Sequence, residues 1–356
     1  MASDSNENHA NGRVDDGRHQ DAPGAPDRPK QMPKAGWVTI LKRSLKQFKH
    51  DDVTDRAAAL TYYGVLAIFP ALLALISILG LLGTSTINSI LANVKDVAPG
   101  AVNSFLNSVI GQVQGKAGAA GIAGIVGILL ALWSASGYVS GFMNASNAIY
   151  DVDEGRPIWK TAPTRFLVTL ALMIMLAVSA VLVVVSGPIA SQFGKAFGIG
   201  HAAVLAWDIA KWPFLLIVVS MMFSLLYKAS PNVKQPGFRW ISLGGIIAVV
   251  VWLIASGLFA LYVSFAGSYN KTYGSFATVI IFLVWLWITN IAILLGAEFN
   301  AETQRERALR AGLPEDVDQF NELRDTRKLD EPQKREAEEA AQIRERTMRK
   351  RPPRDR

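Results

Sequence analysis

Four polar side chains recur on one face of an otherwise apolar stretch: Ser136, Ser140 and Asn144 at four-residue steps, then Asn147 three further on. At helical periodicity they stack one above another, with Gly137 and Gly141 beside them. Such a face can wall a polar cavity and offer uncharged hydrogen bonds to a headgroup. It can equally pack helices through small residues and interhelical hydrogen bonds worth about 0.6 to 2 kcal/mol each. A second set lies near the C-terminal end of the apolar region. Thr289 and Asn290 sit mid-run, and Glu298 follows Asn290 at a spacing that keeps both near one face. Arg56 enters the first apolar run at nearly the depth of Glu298. Either charge alone is costly when buried, so the two are predicted to form a structural ion pair. The alternative for Glu298 is a proton carrier. Pro70 removes a helical hydrogen bond to the Leu66 carbonyl and predicts a kink.

Other chemistry has little support. The chain has no cysteine, which excludes disulfides, thiolate metal sites and cysteine nucleophiles. Its 4 histidines, His9, His19, His50 and His201, lack metal-ligand spacing. No HExxH, GxSxG or Walker motif occurs. No catalytic residue, metal or cofactor is therefore predicted. No ionisable side chain lies near the middle of an apolar run, which weighs against proton pumps and ion channels.

These residues must be positioned by membrane helices. Apolar runs fill residues 57–299, two of them, 166–194 and 241–270, without any Asp, Glu, Lys or Arg. A run of about 20 apolar residues spans a bilayer's hydrocarbon core. The reading is an all-α polytopic membrane protein with spans near 57–83, 117–148, 164–190, 208–228, 240–266 and 274–299. Residues 1–33 are polar, lack the apolar core of a signal peptide and read as a disordered tail. Residues 34–302 form the membrane domain. Residues 303–356 form a charged tail, disordered or a solvated helix held by i, i+4 pairs. Trp37, Ile40, Leu41, Leu45 and Phe48 share a helical face opposite Lys42, Arg43, Lys46 and Lys49, which predicts an interfacial helix or a cap on the membrane domain. Two short amphipathic helices are predicted within 84–116, broken at Pro99 and Gly100. The net charge of +7 collects in tails and loops, and suits contact with anionic lipid rather than nucleic acid. Lys and Arg favour the loops on the side of the termini, placing both termini in the cytoplasm.

Arg56-Ala57-Ala58-Ala59-Leu60-Thr61-Tyr62-Tyr63 with Phe69-Pro70, then Tyr273-Gly274-Ser275-Phe276, then Gly296-Ala297-Glu298-Phe299-Asn300 resemble the YihY/BrkB family of bacterial inner-membrane proteins. The resemblance covers about 37–302. It implies a helical domain in the cytoplasmic membrane, and a family once labelled a tRNA-processing ribonuclease, with some members linked to serum resistance and others to lipid or lipopolysaccharide-precursor transport. The leading expectation is a transporter-like protein for a lipid or other amphipathic molecule, with Ser136, Ser140, Asn144, Asn147 and Asn290 lining its cavity. The alternative is a membrane scaffold recruiting partners through its charged termini, and a ribonuclease is the least supported. Membrane lipids are the expected partners. Whether the chain forms a homo-oligomer is left open.

Overall fold

The computed structural model describes residues 26, 29–81, 117–184, 201–235, 237–265, 276–315, 317 and 319–349. The two short helices expected within 84–116 lie outside the described residues. Eight α-helices are described: α1 (Lys34–His50), α2 (Val53–Leu81), α3 (Ala117–Ile149), α4 (Ile158–Val184), α5 (His201–Ala229), α6 (Phe238–Phe265), α7 (Phe276–Arg310) and α8 (Glu331–Arg349). Four contain stretches long and apolar enough to cross a membrane: Ile158–Ser179, Leu205–Ala229, Leu243–Phe265 and Phe276–Arg310. Among the described residues the only strand-like pairing is an isolated antiparallel bridge between Val233 and Leu323.

Packing closes the long helices into a ring. α2 lies between α3 and α7; α7 continues to α6, α6 to α5, α5 to α4, and α4 returns to α3. One side of the ring carries α1 and residues 319–330, and is termed the terminal side. Local chemistry sets the boundaries on that side. α1 stops at Asp51, whose N–H still bonds the Gln47 carbonyl, and Asp52 turns the chain at φ 48° into α2. α3 stops in the same way, at Asp151 with φ 50°. Asp is one of the few residues with a side chain that tolerates this left-handed conformation. α7 ends at Gly312, φ 89°, where the Leu313 N–H reaches back to the Ala308 carbonyl and Pro314 follows.

Burial is graded along four of the ring helices, α2, α3, α4 and α6. Phe142, Leu60, Tyr227, Ile241 and Leu294 are fully buried in one core toward the terminal side, and Phe142 stacks on Tyr227. No described side chain of α2 beyond Thr61, α3 before Ser136, α4 beyond Leu172 or α6 beyond Val249 is buried. Pro70 lies within α2, but its side chain falls outside the described residues.

The boundary expected at 302/303 falls inside α7, which runs to Arg310 with Glu302, Thr303, Gln304, Glu306 and Arg307 all buried. Period-3.6 apolarity ends near Phe299, but the helix continues because α1 docks on it. Trp37 stacks on Phe299 at 6.0 Å, and Arg43 pairs with Glu302 at 3.0 Å and with Glu306. α1 is thus docked on α7, although Val38, Leu41 and Leu45 remain exposed.

Candidate functional site

Asn290 is a buried polar node. It is 1% exposed and joins three helices: the Tyr138 hydroxyl of α3 donates to its Oδ1 at 2.8 Å, and its Nδ2 donates to Thr61 Oγ1 of α2 at 3.0 Å. Thr61 in turn donates to the Ala57 carbonyl. Both side-chain polar atoms are used within the protein, so Asn290 fastens helices. Replacing it with Leu removes two interhelical hydrogen bonds. The expected outcome is a loss of about 1 to 3 kcal/mol, read as a lower midpoint of unfolding in detergent or lipid.

The predicted polar face of α3 divides in the same manner. Ser136 is buried and donates to the Trp133 carbonyl of its own helix. Asn147 is buried at the helix end, where its Nδ2 donates to Glu154 and its Oδ1 accepts the Asn232 N–H at 2.7 Å. Ser140 is half-buried, and Asn144 is exposed on the side away from buried Phe142. The five residues expected to share one cavity are therefore not brought together. The glycines beside them behave as packing surfaces: a Cβ on Gly141 would stand 3.0 Å from the Tyr63 ring and 3.3 Å from Leu60.

The Arg56–Glu298 ion pair does not form. Arg56 Nε donates instead to the Asp51 backbone carbonyl at 2.8 Å, capping the end of α1. Glu298 is 0% exposed, and neither carboxylate oxygen has a hydrogen-bond partner. A second buried acid, Asp51, is among the charges near it. Equal depth in the helices is legible from the sequence. The turn at Asp51 and Asp52, which places a carboxylate in the position assigned to the guanidinium, is not.

The end of the GAEFN segment can be read residue by residue. A Cβ on Gly296 would fall 2.5 Å from the Tyr227 hydroxyl oxygen and 2.7 Å from the Gly244 carbonyl. Ala297 and Glu298 are buried and Phe299 carries Trp37. Asn300 accepts the Gly244 N–H and donates to the Ile241 carbonyl, tying α7 to α6.

On the terminal side the loops after α3 and α5 are clipped together by residues 322–329. Asn232 is fully buried, and its Nδ2 donates to the Asp153 and Asp325 carbonyls. The Arg324 N–H donates to the Asn232 carbonyl, and the Lys328 N–H donates to the Gly155 carbonyl. The guanidinium of Arg324 caps the end of α5 through the Lys228, Ala229 and Val233 carbonyls. Burial pulls that group down to about 10, which leaves it charged at neutral pH. Arg156 supports the same helix end through the Ala229 and Ser230 carbonyls while paired to Glu154. The reading of a solvated tail misses this strap, because strap residues such as Arg324 and Asp325 carry charge like the rest of the tail. The sequence signal that could have found it is Val233 and Leu323, short apolar segments in otherwise polar loops.

Two carboxyls on the terminal side, Asp325 of the strap and Glu154 of the loop after α3, titrate low. Hydrogen bonds from Arg327 and Lys160 hold Asp325 well below the usual carboxylate range. Burial opposes ionisation of Glu154, and the Arg156 hydrogen bonds overcome it. Carboxyls depressed in the folded state add stability that is complete above their unfolded values, near 4, and is lost as pH falls through the folded ones. Hydrogen exchange across 319–330 should therefore stay flat, after correction for intrinsic rates, from about pH 8 to about pH 5. It should rise only below about pH 4.

Comparison with known proteins fits this architecture. The family described as Virulence factor BrkB matches residues 44–319, which takes in the ring and reaches into the segment before the strap. The chain belongs to the BrkB family. The ribonuclease-like protein YfkH of Bacillus subtilis is 28% identical over 272 residues, covering 76% of this chain and 98% of YfkH. A UPF0761 membrane protein of Alkalilimnicola ehrlichii is 29% identical over 266 residues, covering 72% of the BrkB-family chain and 56% of that relative. A UPF0761 membrane protein of Mannheimia succiniciproducens is 26% identical over 278 residues, covering 75% and 90% respectively. No solved structure matches. This BrkB-family chain is a membrane protein. Among its described residues no group of three or more His, Cys, Asp or Glu side chains could hold a metal ion.

Proposed function

We propose that this BrkB-family chain spans the bacterial cytoplasmic membrane six times, with both termini cytoplasmic, and handles a lipid or other amphipathic molecule as a transporter does. The observation that supports this reading is the graded packing of the ring. Its terminal side is filled by an apolar core and a polar layer, whereas the described residues of its distal half form no comparable core. In α2, α3, α4 and α6 the described side chains beyond that core are exposed or half-buried, which leaves apolar surface for an acyl-bearing molecule. α2 and α3, at 29 and 33 residues, have the length of spans. Contacts to a headgroup fall to Ser140 and Asn144, since Ser136, Asn147 and Asn290 are consumed inside the bundle. The exposed Val38, Leu41 and Leu45, flanked by Lys42, Lys46 and Lys49, suit an anionic leaflet.

The test uses full-length protein in nanodiscs and vesicles of phosphatidylethanolamine and phosphatidylglycerol. Native mass spectrometry should find one lipid class enriched over the bulk, and a labelled phospholipid should cross proteoliposomes faster than protein-free vesicles. Bulk lipid composition together with unaccelerated crossing would overturn the reading. Asn144→Leu should lower crossing while leaving the unfolding midpoint unchanged, because its side chain is exposed.

The scaffold reading is separated by removing 331–356, which spares the strap. Scaffolding requires that segment and transport does not. Removing 303–356 is uninformative, since it takes buried α7 residues with it. The name of YfkH carries a ribonuclease reading, but no observation on this chain favours it.

A further inference from the structure

α4 carries a cation that the bundle does not satisfy. The candidate span Ile158–Ser179 has two charged side chains, Lys160 and Arg165. Lys160 pairs with Asp325 of the strap at 2.9 Å. Arg165 lies one and a half turns further in, about 7 Å along the helix axis. It is half-buried, and its Nε is buried without a hydrogen-bond partner. Among the described residues no carboxylate or carbonyl bonds its guanidinium. The group lies instead 5.2 Å over the Phe166 ring, and that ring stands 6.2 Å from Trp133 of α3. Arg156 and Arg324, in the loops nearby, are by contrast held by a carboxylate or by carbonyls. A guanidinium inside a span is costly without an anion, and its planar fork matches a phosphate through two parallel hydrogen bonds.

The neighbouring surface supplies the rest of a lipid's chemistry. Trp133, Ser140 and Asn144 follow at steps of seven and four residues, so they share one face of α3. The contact of Trp133 with Phe166 brings that face beside α4, and Ser140 and Asn144 continue it toward the terminal side. In the distal direction Leu129 and Leu130 of α3 and Leu170 and Ile174 of α4 are exposed. Uncharged hydrogen bonds, a cation and apolar surface thus follow one another in the order of a headgroup alcohol, a phosphate and acyl chains. We infer that Arg165 binds the phosphate of a glycerophospholipid held on α3 and α4, with Ser140 and Asn144 bonding its headgroup alcohol. The inference rests on the lipid-handling reading above and deepens it, naming a phosphodiester as the group recognised. A soluble phosphate ester shares that chemistry, and the exposed apolar side chains beside the arginine favour the lipid.

The experiment titrates the full chain in detergent with phosphatidylglycerol, diacylglycerol or glycerol 3-phosphate and counts bound molecules by native mass spectrometry. Wild type should retain phosphatidylglycerol at low concentration and neither of the other two. Arg165→Gln should weaken that retention roughly tenfold, as the loss of a charge-assisted hydrogen bond requires, with the unfolding midpoint unchanged. Arg165→Lys keeps the charge without the fork and should fall between. Lys46→Gln, on the exposed face of α1, should retain the lipid as wild type does, which separates the site from the basic surface of that helix. Equal retention by Arg165→Gln and wild type would overturn the inference and leave lipid handling standing. Equal retention of diacylglycerol would do the same. Displacement of the lipid by glycerol 3-phosphate would assign Arg165 to a soluble phosphate ester and overturn the lipid assignment. A wild type that retains no phospholipid would overturn both readings together.

Discussion

Gly296→Leu should leave little folded protein. The position where α7 crosses α5 and α6 has no space for even a Cβ: one would fall 2.5 Å from the Tyr227 hydroxyl oxygen, 2.7 Å from the Gly244 carbonyl and 2.8 Å from the Ala248 Cβ. Side-chain tips move cheaply, but the carbonyl of Gly244 belongs to a helix and can retreat only if α6 retreats. That displacement would separate Asn300 from the Gly244 N–H and the Ile241 carbonyl, and the Tyr227 hydroxyl from the Ile293 carbonyl to which it donates at 2.7 Å. Overpacking a core typically costs about 1 to 3 kcal/mol, and the added loss of interhelical hydrogen bonds takes this case to about 4 kcal/mol or more. The check is the yield of monodisperse protein after extraction, together with its unfolding midpoint. Gly296→Ala should fall between the two. A wild-type midpoint for Gly296→Leu would show that α6 and α7 do not approach this closely.

Asn232→Ala should be the most damaging single change on the terminal side. Its side chain satisfies the carbonyls of Asp153 and Asp325 at once, and both acceptors would be left beside a new void. A buried acceptor without its donor costs about 1 to 3 kcal/mol, so a total of about 2 to 5 kcal/mol is expected. The effect should be regional as well as global. Protease should cut first within 319–330, because residues 322–329 lose their anchor before the ring opens. Gly155→Ala should release the same segment by another route, since the added Cβ would lie 2.1 Å from the Asp325 carbonyl oxygen. Unchanged proteolysis in both variants would mean that the strap does not depend on these contacts.

The membrane helices are legible because apolar runs of spanning length leave few alternatives, and a stretch such as 166–194, without Asp, Glu, Lys or Arg, needs no partner to be recognised. Four helices of the ring meet both the length and the apolarity of a span. The polar residues are harder to place. A four-residue step shows that Ser136, Ser140 and Asn144 share a helical face, but it does not say what that face meets. Asn147 and Asn290 turn inward to partners on other elements, while Asn144 stays exposed. For Glu298 and Arg56 the depth follows from helix rise, whereas the choice of partner follows from the turn at Asp51, which no periodicity announces. The strap is the least legible part. Its contacts join residues such as Asn232 and Asp325, far apart in sequence, and backbone carbonyls leave no trace in composition.

The strap also fixes an order of events during synthesis. Gly155 and Asn232 leave the ribosome long before Asp325 and Lys328, so the loops after α3 and α5 stay open to water until 322–329 arrives. The long helices of the ring can insert and gather as they emerge, yet their terminal side is finished only by residues made after all of them. A chain halted before residue 322 would therefore hold every long helix of the ring and still lack the contacts that join the loops after α3 and α5.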